Sequence, residues 1–175
     1  MTDTADHPSP RPSAGDVFDV LGRQYHQVGV VVADLDRALA AHTGLGPWSV
    51  WTYDRGAVPD LACGDEPADF AFRLALTPND PQLELIQPLD ERGPYARWLA
   101  EAGPGVHHLG FVVPDVADVT RRMRRAGFEV LLSGSGYGAD GGGAFAYFDT
   151  VEAVGYVTEA IERPARRREP EAVHP

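Results

Sequence analysis

The chain has 175 residues, enough for one domain or two small half-domains around a common core, and its 43% apolar content is that of a packed globule. No run approaches the ~18 apolar residues of a membrane helix, and a formal net charge of -11 argues against a nucleic-acid partner, which would need a basic face. Cys63 is the sole cysteine, so no intrachain disulfide can form, which fits a reducing cytoplasm.

Residues 1–16, "MTDTADHPSPRPSAGD", are rich in Pro, Ser and Asp, lack the apolar stretch of a signal peptide, and read as a disordered leader. A folded body is expected over 17–163. It opens with "HQVGVVV", a β-branched run that predicts a mostly buried strand. Asp34 then caps a helix in which Leu35, Ala38, Leu39 and His42 recur at helical spacing, and Gly44 and Gly46 stop it. "PWSVWTYD", "ADFAFRLAL" and "QLELIQP" follow as three strands. In the second of these, Phe70, Phe72, Leu74 and Leu76 share a face. "PYARWLAEAGPG" is a linking helix. After it come the strand "VHHLGFVV", a helix from Asp115 to Gly127, and the strands "FEVLLSGSG", "GAFAYFDT" and "GYVTEAIE". Residues 164–175 are charged and proline-broken, and a solvated tail is expected there in preference to arginines that touch an anionic ligand.

The order strand, helix, three strands thus occurs twice, in units of about 24–88 and 105–163. Residues 25–46 overlay 106–127 without a gap at an offset of eighty-one, pairing His26 with His107, Gly29 with Gly110 and Asp34 with Asp115. Late in each copy the offset is seventy-five, pairing Glu84 with Glu159. The first copy therefore holds six extra residues, placed in the loop "DRGAVPDLACGDEP". The expected fold class is α+β: two tandem βαβββ units in a single domain, forming a curled mixed sheet around a shared cleft.

Four repeat-related positions draw the chemistry. Gln27, Gly29 and Val31 share one face of the first strand, and His108, Gly110 and Val112 share the matching face of its counterpart, each glycine leaving room beside a polar neighbour. Glu84 lies between two leucines, and Glu159 lies in another largely apolar strand. A carboxylate there is costly to bury unless its charge is compensated. Gln27, Glu84, His108 and Glu159 together could hold one divalent cation and leave two sites of an octahedron open. An open sheet that leaves both glutamates to solvent is the other reading of the same residues.

The stretches "HQVGVVVADLDRA", "LELIQP", "GVHHLGFVVPDV" and "FDTVEAVGYVTEAIE" resemble the vicinal oxygen chelate superfamily, which comprises glyoxalase, bleomycin-resistance and extradiol dioxygenase proteins. The resemblance implies metal ligands at Gln27, Glu84, His108 and Glu159, and a zinc, nickel, cobalt, manganese or iron ion. Gln27 stands where an extradiol dioxygenase has histidine, which speaks against ring cleavage. The ligand types are similar to those of eukaryotic glyoxalase I. The stretch from "LELIQP" to "HHLGFVV" looks more like methylmalonyl-CoA epimerase, whose first two ligands are usually His and Gln. These relatives share proton abstraction next to a carbonyl through a metal-stabilised enolate. The implied activity is a metal-dependent epimerase, isomerase or lyase of a small carbonyl or acyl metabolite, with Glu159 as principal acid/base and Glu84 as its partner. A non-catalytic drug- or metabolite-binding protein is the alternative, and a glyoxalase-type thiol-adduct isomerase is a third. Paired-unit members often dimerise, so a homodimer is one expected assembly.

Other features are read more plainly. Trp48, Trp51, Tyr53, Phe70 and Phe72 are divided between cleft wall and core. The glycine-dense 133–145 lacks the context of a phosphate loop and reads as a mobile hairpin or lid. His42 and His107 are expected to pack rather than ligate.

Overall fold

The computed structural model describes residues 11–175, so the first ten residues of the expected leader lie outside the described part. Its helix α1, Ala14–Leu21, corrects the rest of that expectation. The side chain of Ser13 accepts the Asp16 N–H while Asp16 accepts the Ser13 N–H at 2.8 Å, and Val17 and Leu21 are buried. A capping box followed by an apolar stripe starts a helix whatever the composition before it.

The first unit comprises β1 (Gln27–Val31), α2 (Leu35–Ala41), β2 (Trp48–Tyr53), β3 (Ala62–Cys63), β4 (Glu66–Pro67), β5 (Phe72–Leu76) and β6 (Gln82–Pro88). Helix α3 (Gly93–Ala102) links it to β7 (Gly105–Val112), α4 (Val116–Arg125), β8 (Val130–Ser135), β9 (Ala144–Phe148), α5 (Val151–Val154), β10 (Val157–Glu162) and β11 (Ala172–His174). Asp34 and Asp115 cap α2 and α4 through the N–H groups of Arg37 and Asp118, as the sequence predicts.

All strands join one mixed sheet in the order β11-β2-β5-β6-β1-β7-β10-β9-β8-β3-β4. The two units meet where β1 and β7 run antiparallel, and each is flanked by a parallel partner, β6 or β10. The eight main strands thus fall into two related halves about that seam. The convex side is covered by α2 over Trp48, Val50, Ala75 and Leu85 in one half, and by α1 and α4 over Phe111, Phe148 and Ala160 in the other. The concave side carries its own cluster, including Val31, Leu74, Ile86 and Val157. No helix among the described residues is long and apolar enough to cross a membrane.

Two segments depart from the expected loops. The inserted stretch forms the β3–β4 ribbon, which crosses to pair with β8 of the other half through Ala62 and Ser133. The last residues are not a solvated tail: β11 adds to the edge of β2, pairing Ala172 with Val50 and His174 with Trp48. An edge strand with unpaired backbone groups is a ready template for such a strand, and the main chain supplies the bonds regardless of charge in the side chains.

Candidate metal centre

The four positions singled out in the sequence come together at the seam, and the strand registers explain why. Gly29 lies opposite His108 in β7 and beside Glu84 in β6. Gly110 lies opposite Gln27 in β1 and beside Glu159 in β10. Each glycine therefore sits between an imidazole or amide from one unit and a carboxylate from the other side of its own strand. A Cβ at Gly29 would lie 1.9 Å from Cε1 of His108, and a Cβ at Gly110 would lie 2.9 Å from Oε1 of Gln27. The glycines are the space into which the polar side chains fold.

Gln27, Glu84, His108 and Glu159 are all buried. His108 Nε2 lies 3.1 Å from Glu159 Oε2 and 3.3 Å from Glu84 Oε2, and the three donor atoms lie within 4.8 Å of one another. Despite those distances none of the contacts is aligned as a hydrogen bond. Six buried side-chain polar atoms lack a hydrogen-bond partner among the described residues; four of them are Gln27 Oε1, Glu84 Oε2, His108 Nε2 and Glu159 Oε2. A folded protein rarely leaves buried polar atoms unsatisfied, and here the orphans are one atom from each of the four side chains. Two carboxylates, an imidazole and an amide oxygen are also a donor set suited to a divalent ion. On both counts these residues could hold a cation, and an open, solvent-facing sheet is not what is found.

Burial alone would depress His108, but the Glu159 and Glu84 carboxylates outweigh it and push its pKa up to about 9. Burial likewise raises Glu159, against the opposing pull of His108. Next to this pair, His107 is pushed down to about 3 by burial and by the charge of His108, and it packs edge-on to Trp98 and Tyr95 as a neutral core ring. His42 is a packing residue too, its Nδ1 2.8 Å from the Ala38 carbonyl oxygen. His26, the residue before β1, is not among the clustered donors, and the Val112 N–H donates to its Nδ1.

Above the centre the concave face forms a cleft lined in part by Tyr53, Phe72, Tyr95, Tyr137, Tyr147 and Arg167. Of the five aromatics weighed in the sequence, Tyr53 and Phe72 line it; Trp48 is on the convex side under α2, and Trp51 and Phe70 are packed in the concave cluster. Tyr95, Tyr137, Tyr147 and Arg167 were not foreseen. Tyr147 had a signal, since its β9 register faces Glu159. Tyr95 reaches in from α3 and donates to Tyr147 at 3.0 Å. Burial raises both phenols well above their ordinary range, so they remain neutral. Tyr137 comes from the glycine-dense segment. That segment is anchored rather than free, for its Tyr137 hydroxyl donates to the Glu162 carbonyl and Gly138 bridges Arg167.

A model of the Glyoxalase/Bleomycin resistance protein/Dioxygenase superfamily matches residues 26–148. The chain belongs to this superfamily. Among curated proteins, it is 33% identical over 118 residues to the ethylmalonyl-CoA/methylmalonyl-CoA epimerase of Cereibacter sphaeroides, a match covering 66% of this superfamily member and 78% of that protein. Among solved structures, methylmalonyl-CoA epimerase from Mycobacterium tuberculosis superimposes with a TM-score of 0.55 at 24% identity, covering 83% of this chain and 90% of that one. A variant of the Streptomyces coelicolor methylmalonyl-CoA epimerase in complex with 2-nitronate-propionyl-CoA gives 0.60 at 21% identity, covering 81% and 98%. These structures share the superfamily's curled, unclosed sheet.

Proposed function

We propose that this superfamily member is a divalent-metal-dependent epimerase of an acyl-CoA, with Gln27, Glu84, His108 and Glu159 as the metal ligands. The observation that carries the reading is the set of four orphaned donor atoms at the four repeat-related positions. The sequence similarity to an ethylmalonyl-CoA/methylmalonyl-CoA epimerase supports the substrate class. Once bound, a divalent ion supplies Lewis-acid stabilisation of the charge that develops on neighbouring substrate oxygens.

The chain's own residues do the rest. Glu159, made more basic by burial, takes the α-proton. The C–H electron pair passes into the adjacent carbonyl, and the substrate becomes an enolate. Glu84 faces the same centre from the other unit; entering the cycle protonated, it gives its own proton to the opposite side of the enolate carbon, which inverts that carbon. The pair, now with the proton on Glu159 and the charge on Glu84, is set for the reverse turnover or resets by exchange with solvent. Tyr95 and Tyr147 stay neutral, help keep water out, and offer hydroxyl groups near the reacting atoms. Returning the proton to the neighbouring carbon would instead give a thiol-adduct isomerase, a second reading supported by the paired glutamates.

Plasma mass spectrometry of the purified protein tests the centre. About one divalent ion per chain is expected, lost in Glu159→Ala. Exchange of the α-proton of methylmalonyl-CoA into deuterated solvent, followed by NMR, should slow in Glu159→Gln by roughly 10²–10⁴-fold. No metal after soaking with zinc, nickel, cobalt, manganese or iron would sink the metalloenzyme and leave a binding protein.

A further inference from the structure

Strand β7 carries one residue more than its pairing with β1 needs, and that residue is His107. The two strands stay in register from Gln27 opposite Gly110 to Gly29 opposite His108. Val30 then faces Val106, so His107 has no partner across the seam. A bulge of this kind bends its strand and re-aims a side chain. Regular alternation would send neighbouring side chains to opposite faces. Here the imidazoles of His107 and His108 meet instead, with their Nδ1 atoms 3.1 Å apart.

The ring so aimed is firmly held. His107 is only 6% exposed. It packs edge-on to Trp98 and Tyr95 of α3 and to Tyr147 of β9, with ring centres 4.9, 5.5 and 5.9 Å away. It also lines a hollow of about 190 Å³ with Cys63, Trp98 and Leu131, roomy enough for water at Nε2. Two imidazole nitrogens at hydrogen-bond distance share one proton, one ring donating and the other accepting. With Nε2 of His108 giving its lone pair to a cation, the single proton of that neutral ring is on Nδ1. His108 is then the donor and His107 the acceptor, with its own proton on Nε2.

We propose that His107 is the positioning residue of the metal centre: it accepts the Nδ1 proton of His108, which fixes that ring's tautomer and keeps Nε2 turned toward Glu84 and Glu159. The proposal rests on the metal-centre reading, since only a ligating Nε2 requires this tautomer. The other copy of the repeat supports it by contrast. His26, the counterpart of His107, accepts the Val112 N–H instead. The ligand beside it is Gln27, an amide with no tautomer to fix. Ligating histidines ordinarily give their second N–H to a carboxylate, a backbone carbonyl or water. A neutral imidazole does this work without a further negative charge next to two buried glutamates.

Full-length protein labelled at the histidine nitrogens and loaded with zinc tests this by NMR. The expected signature is a scalar coupling between the two Nδ1 nitrogens, with the shared proton bound to that of His108 and the other His107 proton on Nε2. Packing alone gives no such coupling. Calorimetric zinc titration of variants is the second readout. His107→Leu, which fills the space and removes the acceptor, should bind zinc roughly 10–100-fold more weakly. His107→Asn, whose amide oxygen falls close to the place of Nδ1, should recover most of that loss. Trp98→Phe, which disturbs the packing of the ring and leaves the acceptor, should bind zinc like wild type. No coupling, a proton on Nδ1 of His107, or equal losses in His107→Leu and His107→Asn would each overturn the proposal. If His107→Leu does not fold, the coupling in wild type decides by itself. Zinc held as tightly by His107→Leu as by wild type rejects the positioning role and keeps the metal centre. A wild type that takes up no zinc rejects the centre and the proposal with it.

Discussion

At the residue scale, the centre depends on two atoms that are absent, the β-carbons of Gly29 and Gly110. Neither glycine has a positive φ, so the demand is for space and not for backbone freedom. The two are unequal. A methyl at Gly29 would meet three atoms of the His108 ring at 1.9–2.4 Å, and a flat, fully buried ring cannot bend aside. At Gly110 the nearest atoms are Ile161 Cδ1 at 2.7 Å and Gln27 Oε1 at 2.9 Å, both far ends of flexible chains. Gly29→Ala should therefore expel His108 from the centre, weakening zinc binding at least a hundredfold and destabilising the fold by about 1–3 kcal/mol, as overpacking does. Gly110→Ala should cost under tenfold in zinc affinity. Calorimetric zinc titration and thermal melts of both variants check this; equal losses would mean that packing around His108 is not what places it.

At the element scale, the outermost strand at the β2 edge is the one that composition hid. Deleting residues 171–175 removes the β11 ladder and the two Thr52–Glu171 hydrogen bonds, which are worth about 1–3 kcal/mol together at the usual ~1 kcal/mol each. A melting temperature lower by roughly 3–10 °C is expected for a domain of this size, with metal content unchanged. An unchanged melting temperature would show β11 to be an ornament of the edge. The strand was illegible because it borrows its order from β2. "EAVH" has no period of its own, and its neighbours are arginine and proline. By contrast β1, β7 and the helices after them were legible, since Asp34 and Asp115 cap them locally and the phrase is written twice. Residue parity placed Gln27 and His108 correctly on the cleft face. Applied to β2 it would also have put Trp48 and Trp51 on opposite faces. It could not reveal Tyr95, which reaches the cleft from a linking helix, nor the β3–β4 ribbon, whose partner is in the other half.

At the scale of the whole molecule, folding, protonation and cation binding draw on the same buried charges. Without an ion, His108 carries a proton up to about pH 9 in the fold but only up to about 6.5 when unfolded. The folded state then holds more protons than the unfolded one between those values, so stability from His108 is complete below about 6.5 and is lost as pH rises through 9. Glu159, raised by burial, adds in the same direction from its ordinary 4.5 upward. A cation at the centre reverses this dependence, because Nε2 of His108 must give up its proton to become a ligand. With one proton displaced, zinc affinity should rise about tenfold per pH unit across that window. The chelated protein should therefore melt at progressively lower temperature from pH 6.5 to 9 while the loaded protein gains on it, and the gap between the two curves should widen throughout. Titration calorimetry in buffers of different ionisation enthalpy counts the proton directly. One proton released per zinc near pH 7.5 is the expected count; zero, with a gap independent of pH, would mean that the imidazole is not in the ligand set and that the glutamates bind the ion without it.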